Sequence, residues 1–200
     1  MKDNTKPPIS RSDFTKLRDS MQQDDAAREK AIKKGRDVIK LSKRIIYSIH
    51  RSDMGTAAKA MAAIKKEVRE LASITRGHEV LSFGGFYRAA IAEYVEAACL
   101  FHFIQDNRLV SSAELSAEAE SYLLGLCDLA GELSRRAFNA VIEEKPEEAT
   151  RIKDFLSEIY TELLMFDFSN GELRRKFDSV KYELKKLEAL AVELKLKQKV

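Results

Sequence analysis

Four acidic residues in two helix-spaced pairs are the side chains here best placed to do chemistry. Glu93 and Glu96 lie three residues apart, Asp128 and Glu132 four apart, and each pair sits within an apolar stretch where an unpaired carboxylate would be expensive. Residues three or four apart share one helix face. If the two helices pack antiparallel with those faces together, four carboxylates converge, and their mutual repulsion calls for a cation. Oxygen-only donors favour a hard ion, Mg2+ or Mn2+. The competing reading is that each pair is ordinary helix-surface charge.

The elements that would position those acids are helices. Prolines occur only at positions 7, 8 and 146, and Ala, Leu, Glu, Lys and Arg dominate the chain, so the fold class is all-α. A mobile tail reaches about Ser10, leaving 11–200 as one helical domain. A first helix is expected from about Asp13 to His50, with Val38, Leu41, Ile45 and Ile49 on its apolar face. Ser52-Asp53 caps a second, over Met54 to Ile74. Gly77 marks a break. A third helix, from about Glu79 to Asp106, carries Glu93 and Glu96, with Gly84-Gly85 delaying its start or bending it. Ser111-Ser112 caps a short turn, and a long segment from Glu118 to Glu144 carries Asp128 and Glu132. Pro146 opens the next helix, which runs to about Met165. After a loop over Asp167 to Gly171, a last helix spans Glu172 to Gln198. The reading is therefore seven helices, one of them short.

Composition narrows the class further. With 200 residues, 44% of them hydrophobic, the chain can bury a core as a single domain. No apolar run approaches the roughly 18 residues needed to span a membrane, and MKDNTKPPIS lacks the apolar stretch of a signal peptide, so a cytoplasmic protein is expected. Cys99 and Cys127 are too few for a disulfide framework and read as buried, reduced thiols. His50, His78 and His102 are too scattered for a zinc triad. No Glu-x-x-His motif of the di-iron type occurs, and the glycines lack a nucleotide-binding spacing.

Net charge is only +3, yet it is unevenly spread. Between Arg28 and Arg51 nine basic residues face two acidic ones, whereas Ala113 to Glu148 has nine acidic and three basic residues. Lys33, Arg36, Lys40 and Lys43 recur at three- and four-residue spacing on the first helix. Such a stripe can track the phosphates of a nucleic-acid strand, releasing counterions as it binds; the bland alternative is a solvated face.

Several of these segments together resemble a known family. Glu93-Tyr94-Val95-Glu96-Ala97, Phe101-His102-Phe103-Ile104, Tyr122-Leu123-Leu124-Gly125, Asp128-Leu129 and Gly131-Glu132-Leu133 are similar to the translin superfamily, in particular its catalytic translin-associated factor X branch. Arg174-Arg175-Lys176-Phe177-Asp178, with Lys181-Tyr182 and Lys185-Lys186, resembles translin itself. The resemblance runs from about Arg28 into the last helix. It implies a seven-helix bundle that assembles into a hollow, roughly octameric barrel and acts as a magnesium-dependent endoribonuclease on single-stranded RNA. Glu93, Glu96 and Asp128 would be the catalytic acids, with Glu132 a fourth metal ligand. The non-catalytic branch carries basic or apolar residues at the first three positions. The family's basic nucleic-acid segment corresponds to Ser82 through Arg88, of which only Arg88 keeps the charge, so Lys33, Arg36, Lys40 and Lys43 become the better strand contacts. Partners implied are single-stranded RNA, single-stranded DNA, further copies of this chain and a second translin-like subunit. Two rival functions stand beside the nuclease: a non-catalytic single-strand-binding protein, and an oligomeric scaffold.

Overall fold

Chain-wide scarcity of helix breakers leads to a fold in which every regular element among the described residues is a helix. The computed structural model describes residues 9–76 and 84–197. Helices α1 (Arg11–His50), α2 (Met54–Thr75), α3 (Gly85–Asp106), α4 (Ser112–Leu115), α5 (Ala119–Ile142), α6 (Pro146–Leu163) and α7 (Glu172–Lys197) follow in chain order. Helix α1 packs on α2 and α3, α3 on α5, and α5 on α6 and α7. The acid-bearing helices α3 and α5 are therefore the central pair.

Local chemistry explains most boundaries. Ser10 caps α1 by accepting from the Asp13 amide, so the helix starts two residues before the expected Asp13, and Ser10 belongs to its cap rather than to a tail. The rest of the expected tail, 1–8, lies outside the described residues. Asp53 accepts from the Thr56 amide at 2.9 Å and starts α2. Ser111 and Glu114 form a reciprocal capping box on α4. Pro146 occupies the first turn of α6, where its missing N–H costs nothing. The expected start of α3 at Glu79 lies outside the described residues, as do Gly77 and His78. Within them α3 opens at Gly85, after an extended Gly84.

One core runs through the bundle. Val38, Ile45 and Ile49 of α1, Ile64 and Leu71 of α2, Val95, Leu100 and Phe103 of α3, Leu129 and Leu133 of α5, Ile152 and Leu156 of α6, and Leu187 of α7 are essentially inaccessible. Leu41, expected on the same face as Val38, is only half-buried. The N-terminal turns of α1 lie beyond this core, with Phe14, Leu17 and Met21 exposed. Cys99 and Cys127 are buried and unbridged, and burial pushes both thiols up to about 12. No described helix is long and apolar enough to cross a membrane.

Candidate active site

Close approach of α3 and α5 is what brings the two acidic pairs together, and Gly125 makes that approach possible. A Cβ at Gly125 would lie 2.6 Å from the Ala92 carbonyl oxygen and 2.7 Å from the Val95 Cβ. Ala92 and Val95 bracket Glu93 on α3, and Gly125 precedes Asp128 by one turn. A mid-helix glycine costs about 1 kcal/mol relative to alanine, and here it is tolerated because the backbones nearly touch. Gly125→Ala is expected to destabilise the fold by about 1–3 kcal/mol through overpacking. Melting should then drop by roughly 2–4 °C for each kcal/mol in a chain of this size. An unchanged melt would show that α3 and α5 can separate freely.

The acids differ sharply in surroundings. Glu96 is buried, at 9% exposure, and makes no hydrogen bond or ion pair with any described residue. Burial first, then the charges of Asp128, Glu93 and Glu132, push its carboxyl up to about 8, with Lys176 pulling the other way. Glu93 is half-buried. Desolvation raises its pKa; Lys43 opposes that, Asp128 reinforces it. The charges of Asp128 and Glu132 on α5 thus bear on Glu93 and Glu96 of α3, although the four carboxylates do not converge on one point among the described residues.

Asp128 and Glu132 already have partners from distant helices. Lys176 of α7 donates to both Asp128 oxygens, at 2.7 and 2.5 Å. On α1, the His50 ring Nε2 pairs with Glu132 Oε2, and this contact holds the Glu132 carboxyl below its usual range. His50 Nδ1 is buried without a hydrogen-bond partner among the described residues. Neither Lys176 nor His50 stood out in sequence: Lys176 belonged only to the translin-like motif, and His50 to a scattered trio of histidines. Among the described residues, no three His, Cys, Asp or Glu side chains stand close enough together to enclose an ion. The donor set nonetheless suits a hard divalent ion, because magnesium keeps most of its waters and takes only one or two carboxylates directly. Glu96 and Asp128, with Glu93 beside them, can supply those.

Glu93, Asp128 and Lys176 line a cleft of about 120 Å³ with Arg88, Ala92, Leu124 and Glu172. Arg88 is tied to Glu120 at 2.5 Å, so its charge is less available to a strand than the sequence suggested. By contrast Lys33, Arg36, Lys40 and Lys43 are exposed and make no ion pair with a described residue. Arg36, Lys40 and Lys43 line a groove of about 680 Å³ together with Arg44, Tyr47 and Arg51. Tyr47, Arg44 and Arg51 extend the stripe beyond the residues that periodicity picked out. Lys43 of this groove also opposes the rise of the Glu93 pKa.

Titration of Glu96 gives a stability signature. A carboxyl whose pKa is higher in the folded than in the unfolded chain binds its proton more tightly when folded, so its contribution is full below 4.5 and is lost as pH rises through about 8. Without added divalent ions, the melting temperature should therefore decline across that window, and Glu96→Gln should flatten the decline. Equal slopes in both proteins would show that Glu96 ionises without penalty.

Comparison with known proteins places this arrangement. The profile described as the translin family matches residues 26–198. An uncharacterised protein of Methanocaldococcus jannaschii is 32% identical over 158 residues, 77% of this chain and 70% of that protein. Translin-associated protein X of Pongo abelii is 26% identical over 211 aligned residues, covering 84% of this chain and 72% of that protein. Among solved structures, the AfC3PO complex with duplex RNA shares the fold, with a TM-score of 0.85 at 22% identity over 92% of this chain and 96% of that one.

Proposed function

Because this chain belongs to the translin family, near translin-associated protein X, we propose that it is a magnesium-dependent endoribonuclease acting on single-stranded RNA, with Glu93, Glu96 and Asp128 as its working acids. The observation that carries this reading is the buried Glu96 carboxyl, without a hydrogen-bond partner among the described residues and under the charge of three other carboxylates. So placed, Glu96 stays protonated near neutral pH, and working there as an ionised carboxylate calls for a cation beside it. The resemblance to the catalytic branch, which keeps acids at these three positions, points the same way.

Glu96 and Asp128, with Glu93 and Glu132 adding negative charge, would hold the ion. When bound, Mg2+ or Mn2+ supplies charge neutralisation at a phosphoryl oxygen and lowers the pKa of a coordinated water. A carboxylate of the set that is not taken up as ligand accepts the proton of the attacking water. The water oxygen forms a bond to phosphorus, the scissile P–O bond breaks, and the departing oxygen takes a proton from solvent water. Lys33, Arg36, Lys40 and Lys43 bind the strand's phosphates and lead it towards Glu93, with Arg88 a weaker contact because Glu120 holds it. Tyr47, 55% exposed in the same groove, offers a base a face to stack on.

In this reading the chain works as a closed oligomer, an octameric barrel of its own copies or one shared with a second translin-like subunit. Light scattering should then give a mass about eight times the 22.7 kDa of one chain. A monodisperse monomer would remove the enclosed chamber.

A second reading has its own observation. Lys176 already neutralises Asp128, which suits a non-catalytic protein that binds single-stranded RNA or DNA and uses the acids structurally. Incubating end-labelled single-stranded RNA with the protein in Mg2+ and in EDTA separates the two. Internal cleavage in Mg2+ alone supports the nuclease; binding without cleavage in either supports the second reading. Duplex RNA run alongside tests whether the strand must be single.

A further inference from the structure

The acidic centre contains a cation of its own. Lys176, on the second turn of α7, bridges both oxygens of Asp128 and lines the same cleft as Glu93. The other basic groups around the acids are otherwise placed: Lys43 of α1 acts on Glu93, Arg88 of α3 is tied to Glu120, and His50 and Arg135 lie against Glu132. Among the described residues Lys176 alone holds Asp128, and its side chain is only about one-third exposed. An ammonium so placed does electrostatically what a bound cation would do: it offsets the repulsion among the carboxylates. A lysine is suited to such a place, since its charge is compact and its four-carbon stem can swing aside without moving the helix.

We propose that Lys176 is the resident counter-cation of this centre and competes with a divalent ion for Asp128, an inference that rests on the metal-dependent reading above. Lys176 is a positioning residue: it fixes the Asp128 carboxylate while no ion is bound, and it sets the ion concentration at which the centre fills. Filling the centre with an ion requires the Lys176–Asp128 pair to open, so the work of separating that pair is subtracted from the ion's affinity.

The test is calorimetric titration of Mg2+ into the full chain at pH 8.5, where less proton has to leave Glu96 on binding. Lys176→Met removes the competing charge at similar length, and Lys176→Arg keeps it. Expected is Mg2+ binding about tenfold tighter for Lys176→Met than for the unaltered protein, the factor that corresponds to about 1.4 kcal/mol of pair separation no longer required. Lys176→Arg should bind like the unaltered protein. Thermal melts add a readout independent of activity: Lys176→Met should melt lower without Mg2+ and gain more from its addition. Should Lys176→Met fail to fold, Lys176→Gln, which keeps a hydrogen-bond donor, carries the same expectation. Equal or weaker Mg2+ binding in the folded neutral variant, with the unaltered protein binding normally, overturns the competition while leaving the metal centre in place. No Mg2+ binding by any of the proteins overturns both.

Discussion

Replacing Glu96 with Gln, or Asp128 with Asn, is expected to lower cleavage of single-stranded RNA by roughly 100-fold or more while strand binding survives. Each change keeps the shape of the side chain and removes one ligand charge. Strand affinity should hold for Glu96→Gln, whose carboxyl is already largely protonated near neutral pH, and hold or tighten for Asp128→Asn, which removes a negative charge, since the basic groove is untouched in both. Glu96→Gln should in addition raise stability above neutral pH, since the ionised carboxylate is the costly form at that buried position. For Asp128→Asn the balance differs: Lys176 loses the charge it faces. That variant is expected to melt no higher than the unaltered protein. If the acids were only helix-surface charge, both variants would cut RNA at the normal rate. Cleavage rates and thermal melts on the same preparations discriminate these outcomes.

Changing Lys33, Arg36, Lys40 and Lys43 together to Gln is expected to weaken RNA binding and flatten its salt dependence. For every phosphate that is no longer neutralised, the slope of log K against log salt falls in magnitude by up to about 0.7. The four side chains are exposed and unpaired with any described residue, so their removal should leave the melt nearly unchanged. Lys34 is the internal control. It holds Glu67 and Glu70, each at 2.6 Å, and its replacement should affect the packing of α1 on α2 more than RNA binding. Binding titrations at several salt concentrations check this, and an unchanged slope in the quadruple variant would show that the stripe merely faces solvent.

Much of this architecture was legible in the chain because local rules decide it. Asp53, Ser111 and Pro146 mark helix starts through capping or missing donors, and those starts are observed, whereas Ser10, expected to end a tail, caps α1. The three- and four-residue spacing of the acids singles out Glu93, Glu96 and Asp128, and the charge of Asp128 raises the pKa of both glutamates, but the convergence of four carboxylates on one point is not seen among the described residues. What spacing cannot carry is the partner from elsewhere. Lys176 lies 48 residues from Asp128 and His50 lies 82 from Glu132, so neither pairing has a local signal. Arg88 shows the converse: its charge was visible, but its engagement with Glu120, 32 residues on, was not. Gly125 was visible as an isolated glycine, and its purpose emerged only once Ala92 and Val95 were seen packed against it.

In the proposed mechanism these acids hold the ion at which RNA is cut. Diffraction from crystals soaked in Mn2+, recorded where manganese scatters anomalously, tests it most directly. An anomalous peak is expected between Glu96 and Asp128, with Lys176 turned away from the Asp128 oxygens. No peak there under Mn2+ concentrations that support RNA cleavage, or a peak at a different group of side chains, would contradict the account.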